Sequence, residues 1–152
     1  MSYTSAEGRG ELLDRLGAAT DQLGFALASL GDAYEQLDER AAEQLEGALF
    51  RPIQAAYARA RRTHAAFAER HGLPGRTFEQ AVRGAPAHGA RGFIDAAVEA
   101  VARADSELAE LQDSMLPVEV GDPELRAGLE QVRTLLADVR ANARELVRTL
   151  GR

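Results

Sequence analysis

Residues 12–37 read LLDRLGAATDQLGFALASLGDAYEQL, and the placing of their apolar side chains decides the fold class. Leu12, Leu16, Ala19, Leu23, Ala26, Leu30, Ala33 and Leu37 follow one another in alternating steps of four and three, a heptad seam on a long helix with polar residues between. Leu27 and Tyr34 widen the stripe between Leu23 and Leu37, so this part of the helix should meet more than one partner helix. Gly17, Gly24 and Gly31 recur at every seventh position on one side, each at a cost of up to about 1 kcal/mol in helix propensity. Close approach of a neighbouring helix is the reason the pattern suggests.

With no proline before Pro52, the pattern predicts one helix from about Ala6 to Phe50, roughly 67 Å long. A compact globule of this chain length is only about 40 Å across. The helix must therefore bend sharply or belong to an elongated molecule. A second helix is expected from Pro52 to His71, stopped by Gly72, Leu73 and Pro74 as left-handed cap, cap contact and breaker. Residues 72–92 hold two prolines and five glycines, which predicts a tip region with at most a short helix around Phe78–Val82. A third helix should run from about Phe93 to Met115. The stretch Leu116–Asp122 is a kink or a break, with Asp122 as N-cap and Pro123 at the first position of a last, heptad-like helix through Leu125, Leu129, Val132, Leu136, Val139, Ala143, Leu146 and Leu150. The expectation is an all-α single domain, residues 1–152, preceded by a polar segment 1–11. Its architecture would be an elongated antiparallel three-helix coiled-coil bundle with kinks or breaks near Pro52 and Pro117.

Charge is distributed unevenly over this frame. Between Arg51 and Arg91 eight arginines meet only Glu69 and Glu79, whereas the rest of the chain carries ten arginines and twenty-two carboxylates. A net charge of −6 thus conceals a basic middle, which would present positive potential to phosphate-rich surfaces. Arg59, Arg62 and Arg70 fall on the polar arc of the second helix and Arg76 and Arg83 in the tip, with Arg51 and Arg61 beside them. The alternative for each arginine is pairing with a carboxylate of the first or third helix.

Other chemistries find little footing. There is no cysteine, so thiolate nucleophiles and cysteine zinc sites are excluded. His64, His71 and His88 carry no nucleophile or metal motif; His64 and His71 are read as buried or boundary residues. No Glu-x-x-His pair and no phosphate loop occurs, and Tyr34, Tyr57, Phe25, Phe67 and Phe93 are core candidates at helical spacing. No catalytic residue, metal or cofactor is therefore expected. No apolar stretch reaches the roughly 20 residues of a membrane span, and the N-terminus has no signal-peptide core, so a cytoplasmic protein is expected.

Two blocks resemble a known family. FALASLGDAYEQLDERAAEQLEGALFRPIQ, Phe25 to Gln54, is similar to the end of the first helix of BAR (Bin/amphiphysin/Rvs) domains of the endophilin and amphiphysin type, with Phe50, Pro52, Ile53 and Gln54 at the turn into the second helix. ADSELAELQDSMLPVEVGDPELRAGLEQVRTLL resembles the third BAR helix, with Ser114 and Met115 at the step before its kink. The resemblance implies a crescent-shaped homodimer that lies peripherally on anionic membranes and binds or senses their curvature. Arg59, Arg62, Arg70, Arg76 and Arg83 would face the lipid. Residues 1–11 are too short and polar for the insertion helix of one BAR subclass. From the residues themselves, the wide arc predicts a dimer interface at Leu23, Leu27, Leu30, Tyr34 and Leu37. A dimeric helical adaptor for protein partners, without membrane binding, is the alternative function, and nucleic acid is an unlikely partner because the arms are acidic.

Overall fold

The computed structural model describes residues 4–79 and 88–150. Every regular element among them is helical: α1 (Ser5–Tyr34), α2 (Glu39–Leu45), a π-helical turn (Glu46–Phe50), α3 (Arg51–Arg70), α4 (Gly89–Asp113), α5 (Leu116–Glu119), α6 (Pro123–Leu136) and α7 (Val139–Leu150). The all-α class is as the periodicity predicts. Thr4 starts α1 with a capping box: its hydroxyl accepts from the Glu7 N–H, and the Glu7 carboxylate accepts from the Thr4 N–H. The N-terminal segment is therefore helical from Ser5.

The single helix expected over Ala6–Phe50 is two. It ends at Tyr34, where the Gln36 and Leu37 N–H groups turn back to the Ala33 and Tyr34 carbonyls, and Asp38 restarts helix by accepting from the Ala41 N–H at 2.8 Å. The chain reverses there, because Gly24 on α1 meets Tyr57 on α3 and Gly17 meets His64. Of the glycine repeat, Gly24 alone admits a tight contact from a neighbouring helix, and Gly17 instead makes room for Arg76 of the segment after α3. A Cβ on Gly24 would lie 3.3 Å from the Tyr57 ring and one on Gly17 2.8 Å from the Arg76 guanidinium, whereas Gly31 faces open space.

Pro52 stands in the first turn of α3, as expected, but α3 follows directly on the π turn, so the chain does not leave helix there. The chain inserts one extra residue before it, so that the Arg51 N–H bonds to the Glu46 carbonyl, five residues back. Proline cannot donate to the carbonyl four residues earlier. That carbonyl, on Ala48, accepts instead from Asn142 Nδ2 of α7 at 3.0 Å. Replacing Asn142 with alanine should leave it unpaired and lower stability by about 1–3 kcal/mol in urea denaturation.

α3 stops as read from the sequence. Gly72 takes φ +65°, and the Leu73 and Gly72 N–H groups close on the Ala68 and Glu69 carbonyls in a Schellman cap. The segment 72–79 is not a tip. It lies without regular structure against α1 and α3, where Arg76 Nη2 reaches both oxygens of Asp21 at 2.8 Å and the Phe78 and His64 rings meet T-shaped with 5.1 Å between centroids. Phe78 and Glu79 are not helical, residues 80–87 fall outside the described residues, and residues 89–92 already belong to α4.

Leu116–Asp122 is a full break and a change of direction. Gln112 on α4 bonds Glu130 on α6, while Arg133 further along α6 bonds Asp105 earlier on α4, so the two helices run antiparallel. Asp122 caps α6 by accepting from the Leu125 N–H at 2.7 Å, with Pro123 at the first helical position, as expected. The last helix is interrupted at Ala137 and Asp138.

The chain therefore forms two helical hairpins, α1 with α2–α3 and α4 with α6–α7, stacked as a four-rod bundle with one long crossover. α1 packs along α4, and α3 along α6 and α1. Buried alanines at 19, 26 and 33 on α1 and 97, 100 and 104 on α4 leave little side-chain bulk between the helices of the first pair. Gly128 on α6 sits against Thr63 on α3 with no room for a Cβ. Leu23, Leu27 and Leu30, expected in a dimer interface, are fully buried in the chain's own core. The wide arc is met by α3 and α4 of the same chain. Of the predicted interface residues only Tyr34, 49% exposed, and half-buried Leu37 reach the surface.

Candidate functional site

Folding sorts the charges into two layers. α1 and α4 together hold eleven carboxylates and four arginines; α3, α6 and α7 hold ten arginines and four carboxylates. Sequence reading placed the basic character in residues 51–91, but it missed the contribution of α7, whose Arg140, Arg144 and Arg148 recur every fourth residue and are all exposed. That spacing was visible in the sequence, masked by averaging with acidic neighbours.

Within the basic layer α3 carries the densest face. Its buried side is Ile53, Ala56, Tyr57, Ala60, Thr63, His64, Phe67 and Ala68, which turns Arg51 and Arg62 directly outward with Arg59 and Arg61 on the flanks. Ala55, Ala58, Ala65 and Ala66 lie between the guanidinium groups, with exposed Gln54 on one flank and the carboxylate of exposed Glu69 closing the row seven residues beyond Arg62. No ion pair among the described residues involves Arg51, Arg59, Arg61 or Arg62. Arg61 lies 5.3 Å from the Tyr57 ring centroid, and Arg59 is half-buried with its Nε unpartnered.

Two of the other predicted lipid-facing arginines are engaged internally. Arg70 holds Asp122 through Nε at 2.8 Å and Nη2 at 2.9 Å, and Arg76 is clasped to Asp21 and stacked 4.4 Å from the Phe78 ring. Pairing within the chain, the alternative weighed for each arginine, is what these two do. Arg83 lies outside the described residues. The structure thus brings Arg59 and Arg62 together with Arg51 and Arg61, and separates Arg70 and Arg76 from them by function.

Asp122 is the most heavily bonded carboxylate. Burial alone would raise its pKa, but hydrogen bonds from Arg70, the Leu125 N–H and His71 outweigh this and hold it well below the usual carboxylate range. These bonds tie the end of α3 to the start of α6.

His64 is buried beneath the 72–79 segment, with its Nδ1 unpartnered. Burial lowers its pKa, Arg76 lowers it further, and the Leu13 carbonyl and Asp14 offset this only in part. A histidine depressed in the fold is neutral there, so its stabilisation is complete above the unfolded value near 6.5 and is lost as pH falls below it. Urea midpoints should accordingly drop between pH 7.5 and pH 5, and His64→Leu should flatten that slope. Among the described residues no group of three histidines or carboxylates is placed to hold a metal, and no helix is long and apolar enough to cross a membrane.

No protein-family model matches the chain, and no curated protein or solved structure matches it either.

Proposed function

We propose that this chain is a peripheral binding module that docks on anionic membrane surfaces through the outward face of α3. The observation that carries the reading is the row Arg51, Arg59, Arg61 and Arg62, free of ion pairs among the described residues on a face that holds four alanines and Gln54 and only one carboxylate, Glu69 at its C-terminal end. Short neighbours let each guanidinium reach a flat sheet of phosphates without a steric rim. Each basic side chain near such a surface contributes about 1 kcal/mol, so four act together with an affinity that depends on salt. The acidic α1–α4 layer on the opposite side turns the molecule so that α3 leads. The acidic α1–α4 layer disfavours a nucleic-acid partner.

The resemblance to BAR domains points to the same target class but to a crescent dimer. Since Leu23, Leu27 and Leu30 close the core of one chain, we propose docking by the single bundle. A curvature-sensing dimer would have to join through surface residues such as Tyr34 and Leu37. Light scattering at micromolar concentration should give the mass of one chain, 16.3 kDa; twice that mass would favour the crescent scaffold. Co-sedimentation at about 0.1 M salt with phosphatidylserine-containing and pure phosphatidylcholine vesicles tests the docking itself. Binding to the anionic vesicles alone is expected, and equal recovery with both, or none with either, removes the membrane reading.

A further inference from the structure

α4 lies closely along α1 but loosely along the second layer, and the difference leaves a seam. From Arg91 to Ala102 a groove runs between α4 and α7, with a volume of about 610 Å³ and a floor of Val98, Ala102, Ala143 and Val147, and the seam as a whole reaches Ser106. It continues into a recess of about 320 Å³ at the α6–α7 corner, where the chain leaves helix at Ala137 and Asp138. Fifteen residues of α4 correspond to roughly 22 Å, or four helical turns.

The two walls carry opposite charge. On the α7 side stand Arg140, Arg144 and Arg148, about 6 Å apart along the helix; on the α4 side stand Asp95 and Glu99, with Arg91 at the N-terminal mouth of the groove. Arg140, Arg144, Asp95 and Glu99 form no ion pair among the described residues, and Arg148 has only the exposed Glu145 at 3.3 Å. We infer that this groove receives an amphipathic helix of another protein, apolar on the side it buries, with carboxylates along one flank and basic residues along the other.

The walls decide between occupants. A bilayer or a fatty acid would place negative charge against Asp95 and Glu99, whereas a helix presents two flanks that can differ in sign. Carboxylates four residues apart on such a helix repeat at the same 6 Å interval as the α7 arginines, so successive pairs form in one register. Nearly every apolar side chain of the groove floor is small or β-branched, which suits the insertion of leucine-sized knobs. The inference does not rest on membrane docking, since the groove lies away from the α3 face.

A synthetic four-turn peptide with a leucine stripe, glutamates on one flank and lysines on the other is the probe. In a methyl-resolved NMR titration it should shift Val98 and Val147 at micromolar to submillimolar concentration. A peptide of the same composition in scrambled order, and one with lysine on both flanks, should bind at least tenfold more weakly. Arg140→Glu with Arg144→Glu should cost about tenfold, a change confined to exposed side chains, and Ala102→Trp, which fills the floor, should block binding while leaving vesicle co-sedimentation intact. No binding at 1 mM, equal binding of the scrambled peptide, shifts centred elsewhere, or full affinity in both variants would overturn the inference.

Discussion

Reversing Arg51 and Arg62 to glutamate should reduce binding to phosphatidylserine-containing vesicles by between about thirtyfold and a thousandfold. The two arginines project from the centre of the α3 face and make no ion pair among the described residues. Removing both contributions costs about 2 kcal/mol, and placing carboxylates against the same lipids roughly doubles that. The fold should not notice, because exposed substitutions away from caps and pairs change stability by less than about 0.5 kcal/mol. The control is Arg103→Glu with Arg15→Glu. It makes the same change in net charge on the acidic layer and should leave vesicle binding within a few fold. If both double variants weaken binding equally, the protein responds to total charge and the α3 face has no special part.

Asp122→Ala should remove about 2–4 kcal/mol of stability, a large share of the roughly 5–15 kcal/mol that a domain of this kind possesses. One part is the lost N-cap of α6, about 1 kcal/mol. The other is the set of charge-assisted bonds to Arg70 and His71, which leaves the end of α3 without its anchor. Asp122→Asn keeps an acceptor for the Leu125 N–H and should lose less. The pH arm has a definite sign. A carboxylate whose pKa is depressed by folding stabilises fully above its unfolded value near 3.8 and loses that contribution as pH falls through and below it. The native chain should therefore lose stability steeply below about pH 4. Asp122→Asn should flatten that limb. An unchanged acid limb in thermal melts would show that other carboxylates dominate.

The periodicity of residues 12–37 carried the helical class, the buried seam and the need for several partners, because those depend only on spacing. What it could not carry was the identity of the partners. A seam of leucines looks the same whether it meets a second copy or a later helix of the same chain. The reversal at Glu35–Asp38 was equally hidden: no glycine or proline marks it, only the capping aspartate, and Asp38 reads as one more charge in a charged stretch. Pro52 marked the start of α3 correctly but not how it joins the helix before, since the π turn and the Asn142 side chain from 94 residues away keep the path helical. Pro117 and Pro123 were legible because prolines, a glycine and an N-cap stand together. At the candidate site, sequence located the arginines but not their bonds. Arg70 and Arg62 share the polar arc of one helix, and only the position of Asp122 separates a structural tie from a free charge.

The two charge layers lie about one interhelical distance apart, 8–10 Å, which is also about the Debye length at 0.1 M salt. A negative plane approached from the α3 side consequently feels the basic layer at close to full strength and the acidic layer through one further length of screening. At 10 mM salt, where that length is about 30 Å, both layers register and the whole molecule is met as an object of charge −6. At 1 M even the near layer is masked. Affinity for an anionic surface should thus pass through a maximum near physiological ionic strength, where an ordinary basic protein shows only a monotonic decline, and the salt content of the medium acts as a tuning variable with an optimum.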